Sequence, residues 1–286
     1  MSAGILLLAC LVGSPMPASG QVFVGPQGAQ ALLKAQATII DARGTFASKP
    51  YLPQAQVIDW MALRDGIART GRLAPESALR QAFAAAGVEQ ERPVLVYGAA
   101  QDGWGEEGRI WWTLRYLGHP QVYILDGGIS AWAQAKLPTI RAPREAPGAT
   151  KWRSTVRPRL RAAHAEVAQA QHRKDVVVLD VRTPEEFAGS TPYLSPRGGH
   201  VPGAQHLQWR ELIDAQGRLL PVPKLKALFR AKGLTERQRA IAYCTGGVRS
   251  AFVVAVLAHI GHPDSANYDG SWWDWSMQDN LPVAKD

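Results

Sequence analysis

The stretch Ala240–Arg249, reading A-I-A-Y-C-T-G-G-V-R, with Ser250 and the apolar run Ala251–Leu257 behind it, decides how this chain folds. Ile241–Tyr243 is short, apolar and β-prone. It delivers Cys244 to a glycine-containing turn, and a helical pattern resumes at once. The pattern predicts a strand, a tight loop and a helix. Such a loop aims its backbone N–H groups, with the positive end of the helix dipole behind them, at whatever sits above the sulfur. That environment lowers a thiol's pKa and stabilises an anion. Cys244 is therefore the candidate nucleophile; the competing reading, a small buried hydrophobe, is the commoner fate of a lone cysteine.

Working outward, 286 residues suit two domains, each large enough to bury a core. An apolar fraction of 46% with 20% charge is that of a folded globular chain rather than a disordered one. The longest apolar run, Ile5–Val12, is far short of the roughly 20 residues of a membrane span. It reads instead as the core of a signal peptide over Met1–Gly20, with cleavage near Gln21 and export to a periplasm-like compartment. Leu7-Leu8-Ala9-Cys10 also loosely resembles a lipoprotein processing site. Either processing implies export; cleavage near Gln21 removes Cys10 and leaves Cys244 without an internal disulfide partner, and a lone thiol in an oxidising compartment is expected to be reactive.

The formal charge of +8 is concentrated in Arg141–Arg161, where seven basic residues face the single acid Glu145. No interleaved aromatic platform or docking motif accompanies the run, which is studded with Pro143, Pro147, Gly148 and Pro158. It reads as a solvated inter-domain linker, 141–158, and not as a nucleic-acid surface.

The chain also repeats itself. Gly118-His119-Pro120, Asp126-Gly127-Gly128 and Trp132 return 143 positions later as Gly261-His262-Pro263, Asp269-Gly270-Ser271 and Trp275. A strand ending in Asp41-Ala42-Arg43 returns as Asp180-Val181-Arg182. The expectation is two copies of one domain, 21–140 and 159–286. In the second copy, strands are expected at Val176–Leu179, Ile241–Tyr243 and a segment ending at Tyr268, with helices at Ala162–Gln171, Lys224–Lys232 and Val248–Ile260. That alternation predicts an α/β fold, in each domain a small parallel sheet with helices on both faces. Sites in such sheets lie at the carboxyl ends of strands, where Asp180 and Cys244 fall. Aligning Tyr243 with Tyr97 puts Gly98 in the place of the thiol and three extra residues before His119, so only the second copy carries a nucleophile.

Gly103-Trp104-Gly105-Glu106-Glu107-Gly108 is a literal G-x-G-x-x-G. It is rejected as a dinucleotide site, because Glu106 and Glu107 would face a pyrophosphate and the glycines are absent from the second copy.

The chain resembles the tandem-domain rhodaneses. The residues that carry the resemblance are Asp180 and Arg182, Glu185–Gly189, the turn Gly199-His200-Val201-Pro202-Gly203-Ala204, the loop Cys244–Arg249 and Tyr268–Trp275; in the first copy they are Asp41–Arg43, Arg109–Trp112 with Arg115, and Leu125–Gly128. Essentially all of Val22–Pro282 is covered. The resemblance implies a sulfurtransferase in which the Cys244 thiolate takes the sulfane sulfur of an anionic donor such as thiosulfate, forms a persulfide and hands it to a thiol or cyanide, with no metal or organic cofactor. The amides of Thr245, Gly246, Gly247 and Val248 would cradle the anion and Arg249 would supply charge.

Three departures bear on the donor. A second family arginine, four places beyond Arg182, is replaced by Glu186, and Arg197 is the expected substitute. The residues after the cysteine, Thr245 and Gly246, are neutral. Gly246 also stands where mercaptopyruvate sulfurtransferases carry a serine, and Leu52-Pro53-Gln54-Ala55 replaces their histidine motif in the first domain. Thiosulfate therefore ranks ahead of 3-mercaptopyruvate. A persulfide carrier that exchanges sulfur with a protein is the alternative. Phosphatases on the same fold place five residues between cysteine and arginine; the four here make a smaller cradle suited to sulfur. Asp180 and Arg182 are read either as an ion pair fixing the loop or as direct participants. His200 is read as a structural hydrogen-bonder, and Trp272 and Trp273 either as neighbours of the sulfur or as plain core.

Overall fold

The computed structural model describes residues 17, 20–66, 70–145, 148–153 and 155–285. The leader reading, Cys10 included, lies outside the described residues except for Pro17 and Gly20. No helix among the described residues is long and apolar enough to cross a membrane.

In the first domain strands β1 (Phe23–Val24), β2 (Thr38–Asp41), β3 (Gln56–Val57), β4 (Val94–Tyr97) and β5 (Val122–Leu125) form an all-parallel sheet of order β1-β5-β4-β2-β3. The second repeats the plan with β6 (Val176–Asp180), β7 (Gln205–His206), β8 (Arg239–Tyr243) and β9 (Ser265–Asn267) in the order β7-β6-β8-β9. An isolated parallel bridge, Arg161 to Asn267, holds the edge that β1 occupies in the first sheet. Helices α1 (Pro26–Lys34), α2 (Glu76–Ala85), α3 (Glu106–Tyr116) and α4 (Gly128–Gln134) cover the first sheet. α5 (His164–Ala170), α6 (Pro184–Ala188), α7 (Val222–Ala231), α8 (Arg249–His259) and α9 (Ser271–Ser276) cover the second.

Alternation along the strands explains where the apolar surface goes. In β4, Leu95 and Tyr97 face an outer cluster with Leu32 and Trp132; in β8, Ile241 and Tyr243 face one with Trp272 and Trp275. The opposite faces, through Val94, Val96, Ala240 and Ala242, merge into one core that runs across both domains. At its centre α3 packs on α8. Every residue of α8 from Arg249 to Leu257 is buried, as the unbroken apolar run Ala251–Leu257 requires. Close approach needs Gly108, where a Cβ would come within 2.3 Å of the Phe252 Cα. Gly105 and Gly108 of the G-x-G-x-x-G stretch thus serve a helix–helix contact.

The segment read as a linker is solvated along most of its length but does not hang free. The Arg144 N–H donates to the Ala55 carbonyl and the buried Trp152 meets Phe83 and His119 edge-on, while just before the segment Ile140 bridges Tyr51.

Candidate active site

Parallel register sets Asp180 beside Tyr243 at the carboxyl ends of β6 and β8. The Tyr243 hydroxyl donates to Asp180 Oδ2 at 2.5 Å and accepts from the Val201 N–H, while Arg182 clamps the same carboxylate and donates Nη2 to the Gly199 carbonyl. The first domain repeats this network with Tyr97, Asp41, Arg43 and Leu52, although no thiol stands there. Its function is therefore to tie strand ends to the preceding turn.

One residue beyond Tyr243, Cys244 sits 1% exposed on the floor of a cleft of about 410 Å³ between the domains. Its Sγ accepts from the Gly247 N–H at 3.2 Å, and the Ser250 hydroxyl lies 3.7 Å away. Gly247 adopts φ +78°, the left-handed turn that brings its amide round to the sulfur. The loop's other polar groups are held from outside by the Asp269–Trp273 motif and β9. Cys244 N–H donates to Ser271 Oγ, Trp272 and Trp273 N–H take the carbonyls of Cys244 and Thr245, and Asn267 Nδ2 takes that of Gly247. Burial pushes the thiol up, but the Arg249 charge and hydrogen bonds from Ser250 and the Gly246 amide outweigh it, so the thiol is held below its ordinary value.

Arg249, 4% exposed, is fully engaged. Its Nη1 and Nη2 meet Glu186 Oε2 and Oε1 at 2.6 and 2.9 Å, and Nη2 also donates to Thr245 Oγ1. Glu186 is the last member of a Thr183-Pro184-Glu185-Glu186 capping box that opens α6, so the helix cap aims the carboxylate. Burial disfavours its ionisation, yet the bonds from Arg249 and Thr245 hold Glu186 at about 2. A carboxylate depressed in the folded state stabilises the fold above its unfolded pKa and loses that contribution as the pH falls through the folded value. Wild type is therefore expected to lose about 3 kcal/mol through this group between pH 5 and pH 2, a loss absent in Glu186→Gln, read from urea midpoints across that range.

Other expectations are corrected by placement. Arg197 is not a cleft residue: its guanidinium is spread over the carbonyls of Trp275, Ser276, Gln278 and Leu281, clamping the C-terminal segment. Arg182, 1% exposed and locked on Asp180, is likewise unavailable to a substrate. His200 stacks on Phe187 and turns Nδ1 to that residue's carbonyl. Trp272 is core, under the Arg182 guanidinium; of the two, it is Trp273 that lines the cleft, its ring covering Gly246 so closely that a Cβ there would lie 2.4 Å from it.

Sequence reasoning missed the opposite wall. Trp60, Met61, Trp104 and the largely exposed Phe46 of the first domain face Tyr193 and Trp273 across the thiol. A Cβ at Gly71 would stand 2.1 Å from the Gly246 carbonyl, so the first domain lies directly on the loop. The empty position at Gly98 is filled by the Glu107 carboxyl, whose Oε2 would be 2.0 Å from a Cβ there; burial and Glu106 push Glu107 up to about 8.

A thiol in a six-residue loop, on one of two repeated parallel-sheet domains, defines a class. The family model for the rhodanese-like domain matches residues 26–135 and 163–278, and the chain belongs to the rhodanese family. It is similar to the sulfur carrier protein TtuD of Thermus thermophilus, 27% identical over 262 residues that cover 82% of this chain and 85% of the relative. It is also similar to the 3-mercaptopyruvate sulfurtransferase of Escherichia coli K12, 29% identical over 245 residues covering 82% and 83%. The crystal structure of SseA from Escherichia coli, described as a 3-mercaptopyruvate sulfotransferase, superposes with a TM-score of 0.76 at 28% identity, covering 88% of this chain and 99% of that one.

Proposed function

We propose that the protein is a sulfurtransferase that takes the outer sulfur of a small anionic donor, thiosulfate first, onto Cys244 and passes it to a thiol or cyanide. The single observation behind this is the Cys244 thiol, lowered in pKa and hydrogen-bonded to its own loop at the foot of an open cleft. The thiolate attacks the sulfane sulfur; the S–S bond of thiosulfate breaks and its electron pair leaves with sulfite. The product is a persulfide anion in the same cradle. Attack by an acceptor on the outer sulfur returns the thiolate. Sulfite needs no proton to leave, whereas the enolate expelled from 3-mercaptopyruvate does, and Gly246 offers no hydroxyl to supply one.

With Arg249 neutralised by Glu186, the donor's charged end falls to Arg64, which lies over the rings of Trp60 and Trp273 and has no carboxylate partner among the described residues. A second reading, a persulfide carrier serving a protein, is favoured by the aromatic cleft, which is far larger than thiosulfate, and agrees with the name of the Thermus relative. Export through Met1–Gly20 belongs to the same proposal.

Steady-state assays with each donor decide the first point. The expected kcat/KM for thiosulfate with cyanide exceeds that for 3-mercaptopyruvate at least about tenfold, and Arg64→Gln raises the thiosulfate KM several-fold. The reverse ranking would overturn thiosulfate as donor. No turnover with either, but sulfur loading from a persulfidated protein, would favour the carrier.

A further inference from the structure

We propose that Arg109, on α3 of the domain without a thiol, is a positioning residue for Cys244: it fixes the sulfur loop across the domain interface and places beside it a positive charge that is hydrogen-bonded to no carboxylate. The inference rests on Cys244 being the reactive thiol, but its test reads the thiol and not sulfur transfer.

Arg109 is fully buried. Its Nη1 donates to the Gly247 carbonyl at 3.1 Å and its Nη2 to the Gly71 carbonyl at 2.5 Å. One guanidinium therefore joins the catalytic loop to the first-domain segment packed on it. The Gly247 carbonyl also accepts from Asn267 Nδ2 at 3.0 Å, and two donors on one carbonyl fix the peptide that follows Gly247. With that carbonyl anchored, the Gly247 N–H stays on Sγ. Nε has no partner, which is how a cation held for its charge and reach, and not for a complete set of bonds, is expected to look.

The charge matters because Arg249, the cation that acts most strongly on the thiol, is itself paired with Glu186. Arg249 carries Glu186 on both its terminal nitrogens, whereas Arg109 makes no ion pair among the described residues and its direct partners are carbonyl oxygens. Burial lowers Arg109 to about 10, opposed by Asp269 and by Cys244 itself, so it is protonated at neutral pH. Charge attraction is mutual: a thiolate that favours protonated Arg109 is favoured by it. The other charged or titratable groups around the thiol are Arg249, Glu186 and Tyr193 on its own side, Glu106 of α3 across the cleft, and Asp269, Arg161 and Arg64 around Arg109. Asp269 is shared with Arg161 and the Leu73 N–H, so it does not cancel Arg109 alone. On this account the domain that lost its nucleophile is kept because it completes the site of the other.

The test is the pH dependence of alkylation of Cys244 by iodoacetamide in the full chain, with Cys10→Ser throughout so that one thiol reports. Arg109→Gln is expected to raise the kinetic pKa by about one unit, read as an alkylation rate at pH 7 about tenfold lower. Arg109→Lys, which keeps the charge, is expected to stay within about 0.3 unit of the parent. Leu114→Val, buried on the same helix away from the loop, controls for loosened packing and is expected to leave the profile unchanged. An unshifted profile in Arg109→Gln would overturn the proposal. So would an equal shift in Leu114→Val. Should Arg109→Gln fail to fold, a one-unit rise in Arg109→Lys overturns the charge argument on its own.

Discussion

Cys244→Ser is expected to reduce sulfur transfer to background, a loss of at least about a thousandfold in thiocyanate formed from thiosulfate and cyanide. The serine hydroxyl replaces the sulfur almost atom for atom and still accepts from the Gly247 N–H, so folding is expected to survive. What disappears is the nucleophile. An alcohol is not ionised near neutral pH by the forces that lower this thiol, and an oxygen cannot carry a displaceable sulfur as a persulfide does. Activity retained at more than a few per cent would mean that the reactive group lies elsewhere.

Gly247→Ala is expected to cost nearly as much activity, at least about a hundredfold in kcat/KM, together with about 3 kcal/mol of stability. Two effects combine there. The residue sits at φ +78°, which an L side chain adopts only with strain. Its Cβ would also fall 2.4 Å from the Asp269 carbonyl oxygen and 2.6 Å from Arg109 Nη1. Relief requires moving the loop, and with it the amide that meets the sulfur. Gly261→Ala separates strain from overlap. Its φ is +81° but nothing lies within 4 Å of the new methyl, so about 1 kcal/mol and unchanged activity are expected. Urea denaturation and the thiocyanate assay on both variants check the pair.

Much of the fold was legible because the chain states it twice. The strand-ending Asp-x-Arg, the loss of the thiol at Gly98 and the apolar run behind Arg249 have local signatures, and β6, β8 and α8 lie within two residues of their expected positions. The core is shared where two separate ones were expected, since a run such as Val253–Leu257 shows that a helix is buried but not against what.

The site was legible on one side only. Cys244, Arg249 and the loop glycines could be named from spacing, while the aromatic wall of Trp60 and Trp104 and the buried Arg109 depend on how the domains meet. Arg109 left a trace, a charge inside the otherwise apolar Arg109-Ile110-Trp111-Trp112 of a buried helix. The role of Glu186 was open to reading too: Thr183-Pro184-Glu185-Glu186 is a capping box, which fixes the carboxylate near the loop. Arg197 misled because arginine at a turn looks free until its carbonyl partners, 78 to 84 residues away in sequence, are seen.

The central claim is that Cys244 carries the transferred sulfur, and intact-mass measurement of the full chain tests it most directly. After brief incubation with thiosulfate and removal of small molecules, the protein is expected to gain the mass of one sulfur atom. Peptide mapping should place that atom on Cys244, and cyanide should discharge it while releasing thiocyanate. No added sulfur with thiosulfate or any persulfide donor, or a sulfur that remains bound to Cys244→Ser, would contradict the account.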